Sequence, residues 1–242
     1  MKPLFRHITG AVALLTVFAL PAVVFAQNAA KSSMQRELTG VYLSVSPQRA
    51  LAGDYRTSGP PQGAARSPVS RLPKAKPEEQ EEDAWKLCQA VGPFRMMATE
   101  GLKIELVPME GALVMLFEDI SHGNLRIAHL DRPHRKNVPE SPQGDSVAHW
   151  EGDVLVIDTT QLGDRSWFDD QGSRHSDSLH LVERIRPLSG GNAFEYSMRA
   201  EDPKSLAERF TYTRYFERTD SEVREQVCEI ESHWDCGDVC LK

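Results

Sequence analysis

Cysteine is scarce here: the 242-residue sequence holds four. Four is too few for a disulfide-dense miniprotein, though enough for two staples. Positive charge is in deficit. Lys and Arg number 28 against 35 Asp and Glu, a formal net charge of −7. A phosphate backbone repels such a chain, so nucleic-acid binding through phosphates is excluded. Beyond residues 8–26, no apolar run approaches the length of a membrane span. Dinucleotide and P-loop fingerprints are missing, as are His-Glu-x-x-His and internal repeats. The nearest approach to Gly-x-Ser-x-Gly is Gly144-Asp145-Ser146-Val147-Ala148. There Ala148 replaces the last glycine, and Ser146 opens a hairpin rather than the strand-to-helix turn of a serine hydrolase. What is present excludes a wholly disordered chain: 40% of residues are hydrophobic and 26% charged.

The N-terminus reads as an export signal. Lys2, Arg6 and His7 precede the apolar run Ile8 to Ala26, broken only by Thr9, Gly10, Thr16 and Pro21. Val24 and Ala26 suit a signal peptidase, so residues 1–26 are expected to be a cleaved signal peptide. The rival is a membrane anchor, which the short run and Pro21 disfavour. No Cys follows, which disfavours a lipoprotein. Cleavage would remove two basic and no acidic residues, leaving 216 residues with charge −9. The product is expected to be periplasmic or secreted, without stable membrane insertion.

Export makes disulfides the expected state of Cys88, Cys228, Cys236 and Cys240. Four Cys allow three connectivities. Cys236 and Cys240 can close a small ring around Gly237, which leaves Cys88 with Cys228. A metal site from Cys228, His233, Cys236 and Cys240 is the alternative. Its spacing lacks the paired C-x2-C knuckles of structural zinc.

Three segments follow the signal. Residues 27–93 hold a short strand at 37–43, a Pro-rich strap at 44–76 and a helix. The acidic run 77–83 opens that helix, which reaches Cys88 or Ala90 and stops before Gly92-Pro93. Residues 94–242 read as β, ending in the disulfide loop. Strands are expected at 104–108, 112–118, 124–130, 146–150, 154–158, 178–186, 193–200, 210–218 and 222–229, most of them joined by hairpin turns, with a short helical link at 201–203. Without interleaved helices this is a mainly β, antiparallel meander. Closure into a lipocalin-like, calycin-type barrel, or strong curvature, protects its edges.

Alternation assigns the faces. Leu179, Leu181, Glu183 and Ile185 share one side of their strand, and Phe194, Tyr196 and Met198 share one side of theirs. Glu183 is out of place among Leu and Ile. Its neighbour Arg184 points the other way, so its cation must come from elsewhere, Arg132 or Arg199. Asp158 similarly ends an apolar strand.

Polar clusters lie at 129–135, 145–153 and 172–180. Asp131-Arg132-Pro133-His134 is followed by Gly144-Asp145-Ser146, Trp150-Glu151-Gly152-Asp153 and Val156-Ile157-Asp158-Thr159. Then come His175-Ser176-Asp177-Ser178-Leu179, Glu183-Arg184 and Glu201-Asp202-Pro203. This run, over about residues 94–230, resembles a family of exported, largely uncharacterised bacterial proteins. Their marks are a G-x-S-x-x-x-W-E-G-D hairpin, an H-S-D-x-L strand entry and an E-D-P motif. Asp131, Arg135, Asp145 and His149 depart from the family pattern, where Gly, Pro, His and Arg are usual. The resemblance implies a shared fold and site region and supplies no reaction.

Each cluster also has a plain structural role open to it, from hairpin turn to ion pair. The sharper reading is acid/base chemistry without metal or cofactor, of lyase or isomerase type, on a small aromatic or anionic molecule. His175 would be the acid or base, Asp177 or Glu183 its orienting carboxylate, and His134 the second proton carrier. Arg132 would clamp an anion, with His149, Trp150, Asp158 and Arg184 completing the binding set. Metal binding by His129, His134, His175 and His180 with Asp131 lacks a ligand spacing. The alternatives are a non-catalytic periplasmic carrier and an envelope interaction protein that binds through its strap.

Overall fold

A computed structural model describes residues 37–45, 72–76, 83–99, 101–118, 125–169, 171–224 and 228. Nine strands form one closed barrel: β1 (Gly40–Val45), β2 (Lys103–Met109), β3 (Ala112–Phe117), β4 (Leu125–Leu130), β5 (Asp145–Glu151), β6 (Val154–Thr160), β7 (His180–Leu188), β8 (Ala193–Glu201) and β9 (Phe210–Arg218). The mainly β barrel agrees with the alternation of the sequence. One six-residue helix, α1 (Pro93–Ala98), lies between β1 and β2.

Nine strands cannot close with every neighbour antiparallel, because an odd ring of alternating directions leaves one mismatch. The mismatch falls between β4 and β5, which are parallel over three pairs, Ala128↔Ser146, His129↔Val147 and Leu130↔Ala148. Every other pair is antiparallel. A parallel pair needs a crossover, and residues 131–144 provide it. This crossover is the departure from a simple meander, and it carries Arg132 and His134.

The expected last hairpin is not seen among the described residues. Residues 221–224 are not strand, 225–227 and 229 lie outside the described residues, and β9 pairs with β1, Tyr42 to Val45 against Arg218 to Tyr215. Arg218 fastens this closure. Its Nε donates to Gly191 O at 2.9 Å, and its Nη2 to Glu37 O at 2.9 Å and Tyr42 Oη at 2.7 Å. Gly191 has φ +85, and a Cβ there would sit 2.3 Å from Glu37 O, so the contact requires glycine.

The expected helix is not seen over its described part. Residues 84–88 form turns, and α1 starts where the helix was expected to stop. Pro93 suits that first turn because it has no N–H to leave unpaired. Asp83 is turned inward, accepting from Arg95 Nη1 at 2.6 Å and Nη2 at 2.8 Å. Residues 77–82 lie outside the described residues. Cys88 is joined to Cys228, while Cys236 and Cys240 lie outside the described residues, as does most of the strap.

Side chains fill the barrel. Tyr42, Ile104, Leu106, Met115, Phe117 and Phe194 are fully buried. Phe194 stacks on Phe216 at 4.6 Å and meets Tyr42 edge-on at 4.8 Å. The recess at one end, lined by Leu38, Pro108, Leu113, Leu130, Trp150 and Leu155, has about 190 Å³ of empty space including its open mouth. Its enclosed part holds about one water molecule, and even the whole recess is below the several hundred Å³ typical of an organic ligand pocket.

Candidate functional site

The polar chemistry gathers on the two sides of one wall, β5–β6–β7. Successive strand residues face opposite ways. Ser146 and Thr159 therefore point inward, while Asp145 and Asp158 beside them point outward. Register places Ser146 opposite Thr159, and Asp158 between Val147 and Val182.

Inside, Arg126 of β4 is the cation for Glu183, in place of the expected Arg132 or Arg199. Arg126 Nη1 donates to Glu183 Oε1 at 2.9 Å, and Nη2 bonds Oε2. Nη2 also reaches Thr159 Oγ1 at 2.8 Å and Nε reaches Ser146 Oγ at 3.2 Å. Tyr196 Oη donates to Glu183 Oε1 at 2.9 Å. Burial and then the Glu183 charge hold the Tyr196 phenol well above its ordinary pKa. Arg132 was unsuited to this partnership because it lies on the crossover, outside the wall. Arg199 pairs with Glu201 at 3.3 Å.

Outside, the crossover lays His134 between two carboxylates. Its Nδ1 is 2.9 Å from Asp145 Oδ2, and its Nε2 is 2.8 Å from Asp158 Oδ1. His180 Nε2 reaches the other oxygen of Asp158 at 3.0 Å. Carboxylates only accept, so His134 bonds both at once only with both nitrogens protonated. Asp145 also accepts from Arg135 N at 3.0 Å and Arg135 Nε at 2.7 Å. The crossover is pinned by Asp131 N to Ala148 O at 2.8 Å and Ser141 N to Gln161 O at 3.1 Å. Gly144 turns it into β5 with φ +65, where a Cβ would lie 2.5 Å from Thr160 O. Asp145 is buried, with 1% side-chain exposure, whereas His134, Asp158 and His180 are about one-third open at 29%, 33% and 35%.

Burial alone would raise Asp145, but bonds from Arg135 and His134 overcome it and hold the pKa at about 2. Asp158 is also lowered. Burial again opposes the shift, and His180 and His134 outweigh it. His180 is raised, chiefly by its bond to Asp158. Lowered carboxylates stabilise the fold above their unfolded pKa near 3.8 and lose that contribution as pH falls. A raised histidine stabilises below its unfolded pKa near 6.5 and loses that contribution as pH rises. The stability advantage of the native chain over Asp158→Asn is therefore expected to peak between about pH 4 and 6.5. Melting temperatures of both across pH 3–9 check this; a gap independent of pH would refute it. His175, lowered by burial, acts in both chains and cancels.

His175 is elsewhere. It is buried, with Nδ1 3.0 Å from Ser176 O and Nε2 3.4 Å from Ser166 Oγ. Asp177 is exposed and pairs with Lys204. Glu183 is inside the barrel, so the expected trio of His175, Asp177 and Glu183 does not assemble. The H-S-D and E-D-P motifs do meet: Ser176 N and Oγ donate to Asp202 at 2.7 and 2.6 Å, which secures a loop. His149 and Arg184 both pair with Glu151, at 3.2 and 2.9 Å, on the open surface. Trp150 lines the small recess. Arg132, His134 and Asp158 do share the outer site. Sequence reasoning missed Asp145, Arg135 and Arg126, and weighed His180 only as a metal ligand. Outward alternation at strand ends was the available signal for Asp145, Asp158 and His180.

Among the described residues, no group of three or more His, Cys, Asp or Glu side chains is placed to hold a metal ion. No protein-family profile matches this chain, and no curated protein matches it.

Proposed function

We propose that this is an exported β-barrel protein performing acid/base chemistry, of lyase or isomerase type, on a small organic molecule at the outer wall of β5–β7. The observation that carries this reading is His134 held between Asp145 and Asp158, with Asp158 shared by His180. Such a reaction takes a proton at one atom and returns one at another. An imidazole that gains a proton is stabilised by an adjacent fixed carboxylate. Asp145, held at about 2, remains charged throughout the working range. Asp158 links the two imidazoles, so one can be recharged as the other discharges. Both are partly open to solvent, as a proton carrier must be.

Export is supported by the charged and apolar N-terminal segment, by the family resemblance, and by the Cys88–Cys228 bond, which belongs to an oxidising compartment. The filled barrel favours the wall over the interior as the working surface.

The test is proton exchange. Small carbonyl compounds, charged and uncharged, would be incubated with the full chain in D2O and followed by NMR. Protein-dependent exchange is expected, reduced about 100-fold or more in His134→Gln with unchanged circular dichroism. Exchange that survives in both His134→Gln and His180→Gln would sink the reading.

A further inference from the structure

We infer that Arg132 presents a carboxylate-binding edge at this outer site, and that its ligand is a small organic carboxylate. The inference rests on the outer-wall reading only for the chemistry that follows binding. Arg132 Nε and Nη2 are both shielded from solvent and have no hydrogen-bond partner. Asp145 forms an ion pair with this edge but no hydrogen bond. Asp145 Oδ1 lies 3.6 Å from Nη2, outside hydrogen-bond range, and is taken by Arg135 Nε. Asp145 Oδ2 is taken by Arg135 N and His134 Nδ1.

The two unused donors share one edge of the planar guanidinium. Their N–H bonds run parallel, and a carboxylate accepts such a pair with its two oxygens. Buried donors are ordinarily satisfied, and leaving two on one edge unpaired is unfavourable. The arrangement is understandable where a ligand completes it. The Arg132 side chain as a whole is 34% exposed, so the guanidinium lies next to solvent.

The surrounding charges favour an anion under mildly acidic conditions. The crossover contributes Arg132, Arg135 and Lys136 against Asp131 and Glu140. The wall contributes Asp145 from β5 and Asp158 from β6. β8 adds Glu201, already held by Arg199 at 3.3 Å and Arg209 at 2.8 Å. Protonation of His180 on β7, whose pKa its bond to Asp158 raises, adds a positive charge to this cluster. His129 on β4 senses the same field: burial first, then Arg132 and Arg135, hold its pKa down.

Calorimetric titration of the full chain tests the inference, with succinate, its neutral diamide and inorganic phosphate at pH 5.5 and 8.5. Succinate is expected to bind at pH 5.5 and at least tenfold more weakly at pH 8.5, and the diamide not at all. Arg132→Leu should weaken succinate binding at least tenfold. Arg132→Lys, which keeps charge but lacks the fork, should recover only part of it. Equal binding by native chain and Arg132→Leu overturns the inference, as does no succinate binding at pH 5.5. Tighter binding of phosphate than of succinate overturns the carboxylate assignment. If Arg132→Leu fails to fold, Arg132→Lys decides: full native affinity there refutes the edge. Binding without proton exchange sinks the acid/base reading alone. Exchange of uncharged compounds, with succinate indifferent to Arg132, sinks this inference alone.

Discussion

Glu183→Ala is expected to destabilise the barrel by about 3–5 kcal/mol, because it strands a buried cation. Arg126 is 2% exposed and Glu183 wholly buried. With Glu183 gone, Arg126 keeps only the hydroxyls of Ser146 and Thr159, and Tyr196 loses the acceptor of its 2.9 Å bond. For a chain of this size the melting temperature should fall by roughly 10 °C or more. Thermal and urea unfolding measure it. The double variant Arg126→Met with Glu183→Leu should lose less than Glu183→Ala, since removing both charges removes the desolvation penalty. Ser146 and Thr159 would still bond each other at 3.0 Å. A loss under 1 kcal/mol in Glu183→Ala would show that the pair does not hold this wall together, and a double variant less stable than Glu183→Ala would show that the stranded cation is not the cause.

Breaking the Cys88–Cys228 bond is the second large effect. The two cysteines are 140 residues apart, and the chain-entropy relation for that loop predicts a loss of about 5 kcal/mol, against a usual range of about 2–5. The bond ties the segment between β1 and α1 to the chain that follows β9. Cys88→Ala with Cys228→Ala should unfold at lower urea than the native chain, and reduction should bring the native chain close to the variant. Alanine suits position 88, because that site is 6% exposed and would leave a serine hydroxyl buried. A native chain whose unfolding midpoint ignores reductant would contradict the prediction.

These two interactions were unequally legible in the sequence. Pairing of Cys88 with Cys228 was one of three connectivities the sequence left open, the one that a small ring at Cys236 and Cys240 would leave. Glu183 was legible as an anomaly, a carboxylate on a face otherwise made of Leu and Ile. Its partner was not. Arg126 sits 57 residues away on a strand that does not neighbour β7, and only the curvature of the barrel brings them together across the interior. His175 and Asp177 looked paired because they are two residues apart, but a turn separates them: His175 is buried and Asp177 exposed.

The sequence by itself determined the class of fold, most of the hairpin turns, which side the residues of β7 and β8 take, and that Glu183 needed a buried cation. These depend on alternation and local backbone chemistry, which act within a few residues. The tertiary structure decided everything that depends on register and closure. An odd number of strands forces one parallel seam, the seam requires a crossover, and the crossover carries His134 onto the outer wall. There it meets Asp145 and Asp158, side chains whose outward direction was readable but whose common partner was not. Alternation determines a direction, whereas a partner depends on how distant strands are aligned.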